Sequence, residues 1–177
     1  SEEPDFPEIK SDYVYMVDLD NNQIMLDEGS EQTIYPASMT KMMTLLVAIE
    51  NAPALESTMV LGPEVFAGLA EAHASVAGFK PGEEVSVKDL LYGLFLPSGA
   101  DAAQALALEE AGSEAAFVEL MNEKAATLGM SGTHFVNTSG LHDPDHYTTL
   151  RDLEKLMRYA LENPTFREIF QTRRYTS

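Results

Sequence analysis

The sequence predicts a mixed α/β domain of the α+β type, with an N-terminal antiparallel hairpin followed by a mainly helical remainder. Three observations carry that reading. Two β-prone runs, Tyr13 to Val17 and Gln23 to Leu26, flank a segment of turn formers, Asp18 to Asn22. Apolar residues recur at helical spacing in Met42, Leu45, Leu46 and Ile49, with Met39, Met43 and Val47 on other faces of the same cylinder. Beyond them, four more helical stretches open on capping residues and close on glycine or proline. The 177 residues, 45% of them hydrophobic, suit one domain with a sizeable core.

Residues 1–10 are acidic, carry Pro4 and Pro7, and read as an extended lead-in. The hairpin spans about 13–26. Gly29 and Ser30 open a polar loop that leads to Tyr35-Pro36-Ala37-Ser38-Met39-Thr40-Lys41. From there a largely buried central helix starts at about Ser38 and stops before Pro53. Thr58 to Leu61 reads as a short strand and Pro63 to Ala70 as a short helix with proline in its first turn. Lys80-Pro81-Gly82-Glu83 is a turn, and Ser86 with Asp89 forms a capping box for a helix from Val87 to Phe95. Ser98-Gly99-Ala100-Asp101 links it to an alanine-rich helix that Asp101 or Ser98 caps and Gly112 stops.

Ser113 caps a further helix with Phe117, Leu120, Met121 and Leu128 on one face, closed by Gly129. Thr133 to Gly140 is irregular, and Gly140 to Tyr147 gathers His142, Asp143, Asp145 and His146 in one loop. Imidazoles and carboxylates this close could ligate a metal, but no helical ligand pair supports a closed site, and a hydrogen-bonded loop is the favoured reading. Thr149 caps a helix that turns Leu150, Leu153, Leu156, Met157 and Leu161 inward and ends at Asn163-Pro164. Thr165 to Phe170 adds a short helix.

Composition narrows the function classes. Asp and Glu number 29 against 11 Lys and Arg, a formal net charge of −18, which argues against binding nucleic acid or anionic lipid. Cysteine is absent, so disulfides and thiolate metal sites are excluded. The sequence contains no apolar run of about 18 residues and no basic-then-apolar leader, so neither a membrane span nor a targeting peptide is predicted within it. No cofactor motif is found.

Ser38 and Lys41 carry chemistry if they share one helical turn. Residues three apart lie one above the other, so the hydroxyl and the amine meet. A serine hydroxyl needs a base, and a lysine serves as one when burial lowers its pKa. The start of the helix adds partial positive charge and N–H groups where an oxyanion would form. The alternative is an N-cap serine beside a snorkelling surface lysine. One Ser-x-x-Lys match is expected by chance about once in a chain of this length, so the pair alone is weak.

Three blocks in order are more specific: Pro36 to Lys41; Leu90-Leu91-Tyr92-Gly93-Leu94 with Pro97-Ser98-Gly99; and Gly140-Leu141-His142-Asp143 with Tyr147-Thr148-Thr149. Together they resemble the serine-type D-alanyl-D-alanine carboxypeptidases, the low-molecular-mass penicillin-binding proteins. The resemblance implies a β-lactamase/transpeptidase-like fold, a helical subdomain plus an antiparallel sheet. It implies Ser38 as acylated nucleophile, Lys41 as its base, Ser98 as proton relay to the leaving D-alanine, and the Ser38 N–H as one oxyanion donor. The substrate would be a peptidoglycan stem peptide, with β-lactam antibiotics as covalent mimics, and the location extracytoplasmic.

The sequence departs from the family at two places. Ala100 stands where the family's Ser-x-Asn motif has its substrate-binding asparagine, and no Lys-Thr-Gly or Lys-Ser-Gly occurs in these residues. Residues 1–177 are therefore expected to be the N-terminal part of a single transpeptidase-like domain, mainly helical over 38–170. The later strands would come from elsewhere, so the hairpin edge would recruit a second chain or pair with a copy of itself. A serine β-lactamase would need a further carboxylate to activate water, and none is assignable. A non-catalytic penicillin-recognising or cell-wall-binding module is the other alternative, favoured by Ala100.

Overall fold

The computed structural model describes residues 14–18, 23–52, 54–67, 79–96 and 99–176. Strands β1 (Val14–Asp18) and β2 (Gln23–Glu28) pair antiparallel, as the turn formers between them predict, with a register shift between Met16 and Val17. A 3-10 turn at Ala37–Met39 leads into α1 (Thr40–Asn51). The α-helix proper thus begins two residues later than expected, because the chain enters it through a tighter turn closed by the Met39 N–H on the Pro36 carbonyl at 3.0 Å. Pro53 lies outside the described residues, and α1 ends at Asn51.

Strand β3 (Thr58–Val60) pairs antiparallel with β4 (Glu84–Ser86), a partner the sequence did not reveal. Its residues read as turn and cap, and pairing joins segments more than twenty residues apart. A 3-10 turn at Pro63–Phe66 replaces the start of the predicted 63–70 helix, and residues 68–70 lie outside the described ones. The capping box holds as expected. The Asp89 N–H donates to Ser86 Oγ and the Ser86 N–H to Asp89 Oδ2, opening α2 (Val87–Gly93). This helix stops two residues short of Phe95, since successive N–H groups then reach back only three residues, from Phe95 to Tyr92 O and from Leu96 to Gly93 O.

Helix α3 (Ala100–Ala111) ends at Gly112, whose φ of 84° is the left-handed stop expected of glycine. Its N-cap is Gly99, with no side-chain cap bond, so Asp101 does not cap it. Asp101 lies fully buried inside the first turn and accepts from the Ala102 and Phe79 N–H groups at 2.8 and 3.2 Å. Helix α4 (Glu114–Thr127) starts on the predicted Ser113 cap, and α5 (Leu150–Ala160) on the predicted Thr149 cap. Helix α6 (Pro164–Thr176) is twice the predicted length. Asn163 Oδ1 accepts from the Thr165 and Phe166 N–H groups, and Phe166 and Ile169 dock in the core, so burial sustains what local propensity would not.

Helix α1 sits at the centre, packed by α2, α3, α4 and α6. Its Leu45 and Leu46, and Leu90, Leu91, Leu106, Phe117, Met121 and Phe166 of the other helices, are all fully buried. Met42 and Ile49, predicted on the buried face with Leu45 and Leu46, are only partly buried, while Met43 and Ala48 are fully buried. With neighbours on several sides, α1 buries more than one stripe. The hairpin docks on α5: Arg151 pairs with Asp27 at 2.9 Å and its N–H donates to the Ser30 carbonyl at 3.0 Å.

Candidate active site

The segment before α1 is pinned by backbone pairing. Ile34 and Thr148 exchange two N–H···O bonds of 2.9 Å, and His134 and Tyr147 do the same one residue up the same loop. Pro36 is buried and Ala37 follows at φ 49°, the one non-glycine residue with positive φ among the described residues. Such a conformation costs about 1–2 kcal/mol for an L-residue, and it falls immediately before Ser38. Ser38 occupies the middle of the 3-10 turn and Thr40 opens the α-helix, with no side-chain cap on the junction. The N–H groups of this turn are the kind that a helix start offers to a developing anion.

Lys41 follows in the first turn of α1 with 6% of its surface exposed. Lys41 is therefore a buried lysine and not a snorkelling surface one. The threonines on either side of it in α1 are hydrogen-bonded to the 134–148 segment. His146 Nε2 lies 2.6 Å from Thr40 Oγ1, Thr44 Oγ1 donates to the Thr138 carbonyl at 2.7 Å, and Thr138 Oγ1 donates to Glu114 Oε2 at 3.0 Å. Asn122 brackets the Phe135 backbone with two bonds of 2.9 Å.

This is the hydrogen-bonded reading of the 140–147 loop, seen in detail. His134 Nδ1 meets the Asp145 carbonyl, the Asp145 N–H donates to Asp143 Oδ1, and Asn137 Nδ2 donates to the Leu141 carbonyl. Burial lowers the pKa of His146, with Asp143 opposing and His134 adding to the shift. The involvement of Thr40 and His146 with the helix start was not legible in the sequence, because the two are 106 residues apart.

The second predicted block runs from α2, which carries Leu90 to Gly93, to Gly99 at the N-cap of α3, and both helices pack against α1. Ser98 lies outside the described residues. Gly99 is buried, and a Cβ there would stand 2.1 Å from the Gly93 carbonyl oxygen and 2.7 Å from Leu94 Cα. Only glycine fits against that backbone. Ala100 is 4% exposed and starts the helix, so its methyl faces protein rather than open solvent.

The family model described as D-alanyl-D-alanine carboxypeptidase, peptidase S11, matches residues 1–177. The chain belongs to this family. Among curated relatives, the D-alanyl-D-alanine carboxypeptidase DacF of Bacillus subtilis is 35% identical over 151 residues, covering 83% of this chain and 38% of the relative. A Streptomyces D-alanyl-D-alanine carboxypeptidase is 37% identical over 168 residues, covering 86% of this chain and 58% of its own length. The crystal structure of the Streptomyces K15 DD-transpeptidase superposes with a TM-score of 0.86 at 30% identity, covering 92% of this chain and 65% of that one. The carboxypeptidase fold is therefore shared, while the chain spans roughly half the length of those two curated relatives. Among the described residues no helix is long and apolar enough to cross a membrane.

Proposed function

We propose that this chain carries the acylating part of a serine D-alanyl-D-alanine carboxypeptidase acting on peptidoglycan stem pentapeptides. The observation that carries the reading is the burial of Lys41 one turn beyond Ser38, at a helix start with no side-chain cap. In this reading Ser38 Oγ attacks the carbonyl carbon of the penultimate D-alanine while Lys41 Nζ takes the hydroxyl proton. The tetrahedral oxyanion forms against the Ser38 N–H as one of its donors. Collapse breaks the peptide bond. Ser98 relays a proton to the departing D-alanine nitrogen, and water then hydrolyses the acyl-serine ester. A β-lactam would stop at the ester.

Residues 1–177 would form the N-terminal part of the domain, with the cleft strand and its second oxyanion donor supplied by further residues or another chain. Partial coverage of the relatives supports this. An extracytoplasmic location follows from the substrate. The test uses the full-length protein with a fluorescent penicillin: intact mass and peptide mapping should place one adduct on Ser38, lost in Ser38→Ala. An adduct elsewhere, or one that survives the substitution, would overturn the assignment.

A further inference from the structure

The imidazole of His146 is 2% exposed, and both of its nitrogens are engaged. The Val136 N–H points at Nδ1 from 3.0 Å, and a backbone N–H can only donate. Nδ1 is therefore an unprotonated acceptor, and the ring proton sits on Nε2. That N–H donates to Thr40 Oγ1 at 2.6 Å. The ring is fixed further by an edge-on contact with Phe135, 5.5 Å between centroids. Its backbone is fixed by the Asp143 carbonyl on one side and by the Tyr147 and Thr148 pairings on the other.

Thr40 is 1% exposed and stands between Ser38 and Lys41, where the strained 3-10 turn becomes α-helix. A side-chain bond at that junction holds the handover between the two helical forms, and so the angular register of residue 38 against residue 41. We propose that His146 is a positioning residue for acylation, acting through Thr40 to set Ser38 against Lys41. The inference rests on the reading of Ser38 as nucleophile and Lys41 as base. His146 itself touches neither substrate nor the reacting atoms.

The experiment is stopped-flow acylation of the full-length protein by a fluorescent penicillin, separating the rate at saturation from the half-saturating concentration, with melting temperatures alongside. His146→Leu and Thr40→Val should each lower the saturating rate about tenfold, the loss of roughly one hydrogen bond's contribution in the transition state. The half-saturating concentration should stay nearly constant. Because both act through one bond, the double variant should lose the same tenfold. His146→Gln, whose amide N–H reaches the same place, should recover most of the rate. If His146→Leu does not fold, Thr40→Val, of nearly the same shape, still gives the answer.

Saturating rates unchanged in Thr40→Val and His146→Leu, or melting temperature the only quantity that falls, would overturn the positioning role. So would losses that multiply in the double variant. Mapping of the wild-type adduct separates the underlying assumption: an adduct away from Ser38 would overturn the nucleophile assignment and this inference with it.

Discussion

The two turns that the carboxypeptidase motifs occupy are held by opposite means. The Ala37–Lys41 turn is wired by polar side chains, with Thr40, Thr44, Thr138 and His146 each buried and each bonded. The Gly99–Ala100 turn is held mainly by close backbone approach, Gly99 against Gly93 and Leu94, with the buried Asp101 carboxylate as its one polar tie, accepting from the Ala102 and Phe79 N–H groups. Polar side chains can fix an angle without filling space, which suits a nucleophile and base that must keep one geometry. Backbone packing fixes a distance between two helices. At the far end of α3 a buried polar group goes unpaired: neither Glu110 oxygen has a hydrogen-bond partner among the described residues.

The largest effect should come from the first turn. Lys41→Ala in the full-length protein should slow acylation by about 10²–10⁴-fold, the usual contribution of a general base, with a normal circular dichroism spectrum. Retained acylation would show that the buried amine serves structure alone.

The second turn should answer in stability. Gly99 has φ −56°, outside the left-handed region, and the Cβ of Gly99→Ala would be penalised by its contacts with the Gly93 and Leu94 backbone. Overpacking of that kind costs about 1–3 kcal/mol, and each kcal/mol lowers the melting temperature by roughly 2–4 °C at this size. At the other end of α3, Gly112 has φ 84° and a Cβ added there would meet nothing within 4 Å, so Gly112→Ala costs strain only, about 1 kcal/mol. Calorimetry should rank Gly99→Ala as the more damaging. The reverse order would mean that the 93–99 approach is loose.

Glu110 sharpens the contrast through pH. Desolvation, helped by Glu109, raises its pKa to about 8, so the folded state prefers the protonated acid. Its contribution is complete below the unfolded carboxyl value near 4.5 and is lost as pH rises through about 8. Glu110→Gln should therefore raise the melting temperature at pH 8 and much less at pH 4.5. Equal gains at both would place the carboxylate in water.

The smallest effect is predicted at His146, whose pKa burial lowers. Here the neutral form is preferred in the fold. Stability is complete above the unfolded value, about 6.5, and declines as pH falls below it toward the folded value. His146→Gln should flatten the stability profile between pH 7 and 5, and an unchanged profile would assign that slope to other groups.

Much of this arrangement was legible in the sequence because it is local. The hairpin, the Ser86–Asp89 capping box, the caps at Ser113 and Thr149 and the glycine stop at residue 112 are set by residues within a few positions of each other, where propensity and hydrogen-bond reach decide. The spacing of Ser38 and Lys41 was equally readable. Tertiary structure alone decided how deeply Lys41 is buried, because burial depends on helices that arrive later in the chain. It also paired β3 with β4, extended α6 through the docking of Phe166 and Ile169, and carried His146 across 106 residues to Thr40. Contacts of that separation have no local periodicity to betray them, since they exist only once the core has closed.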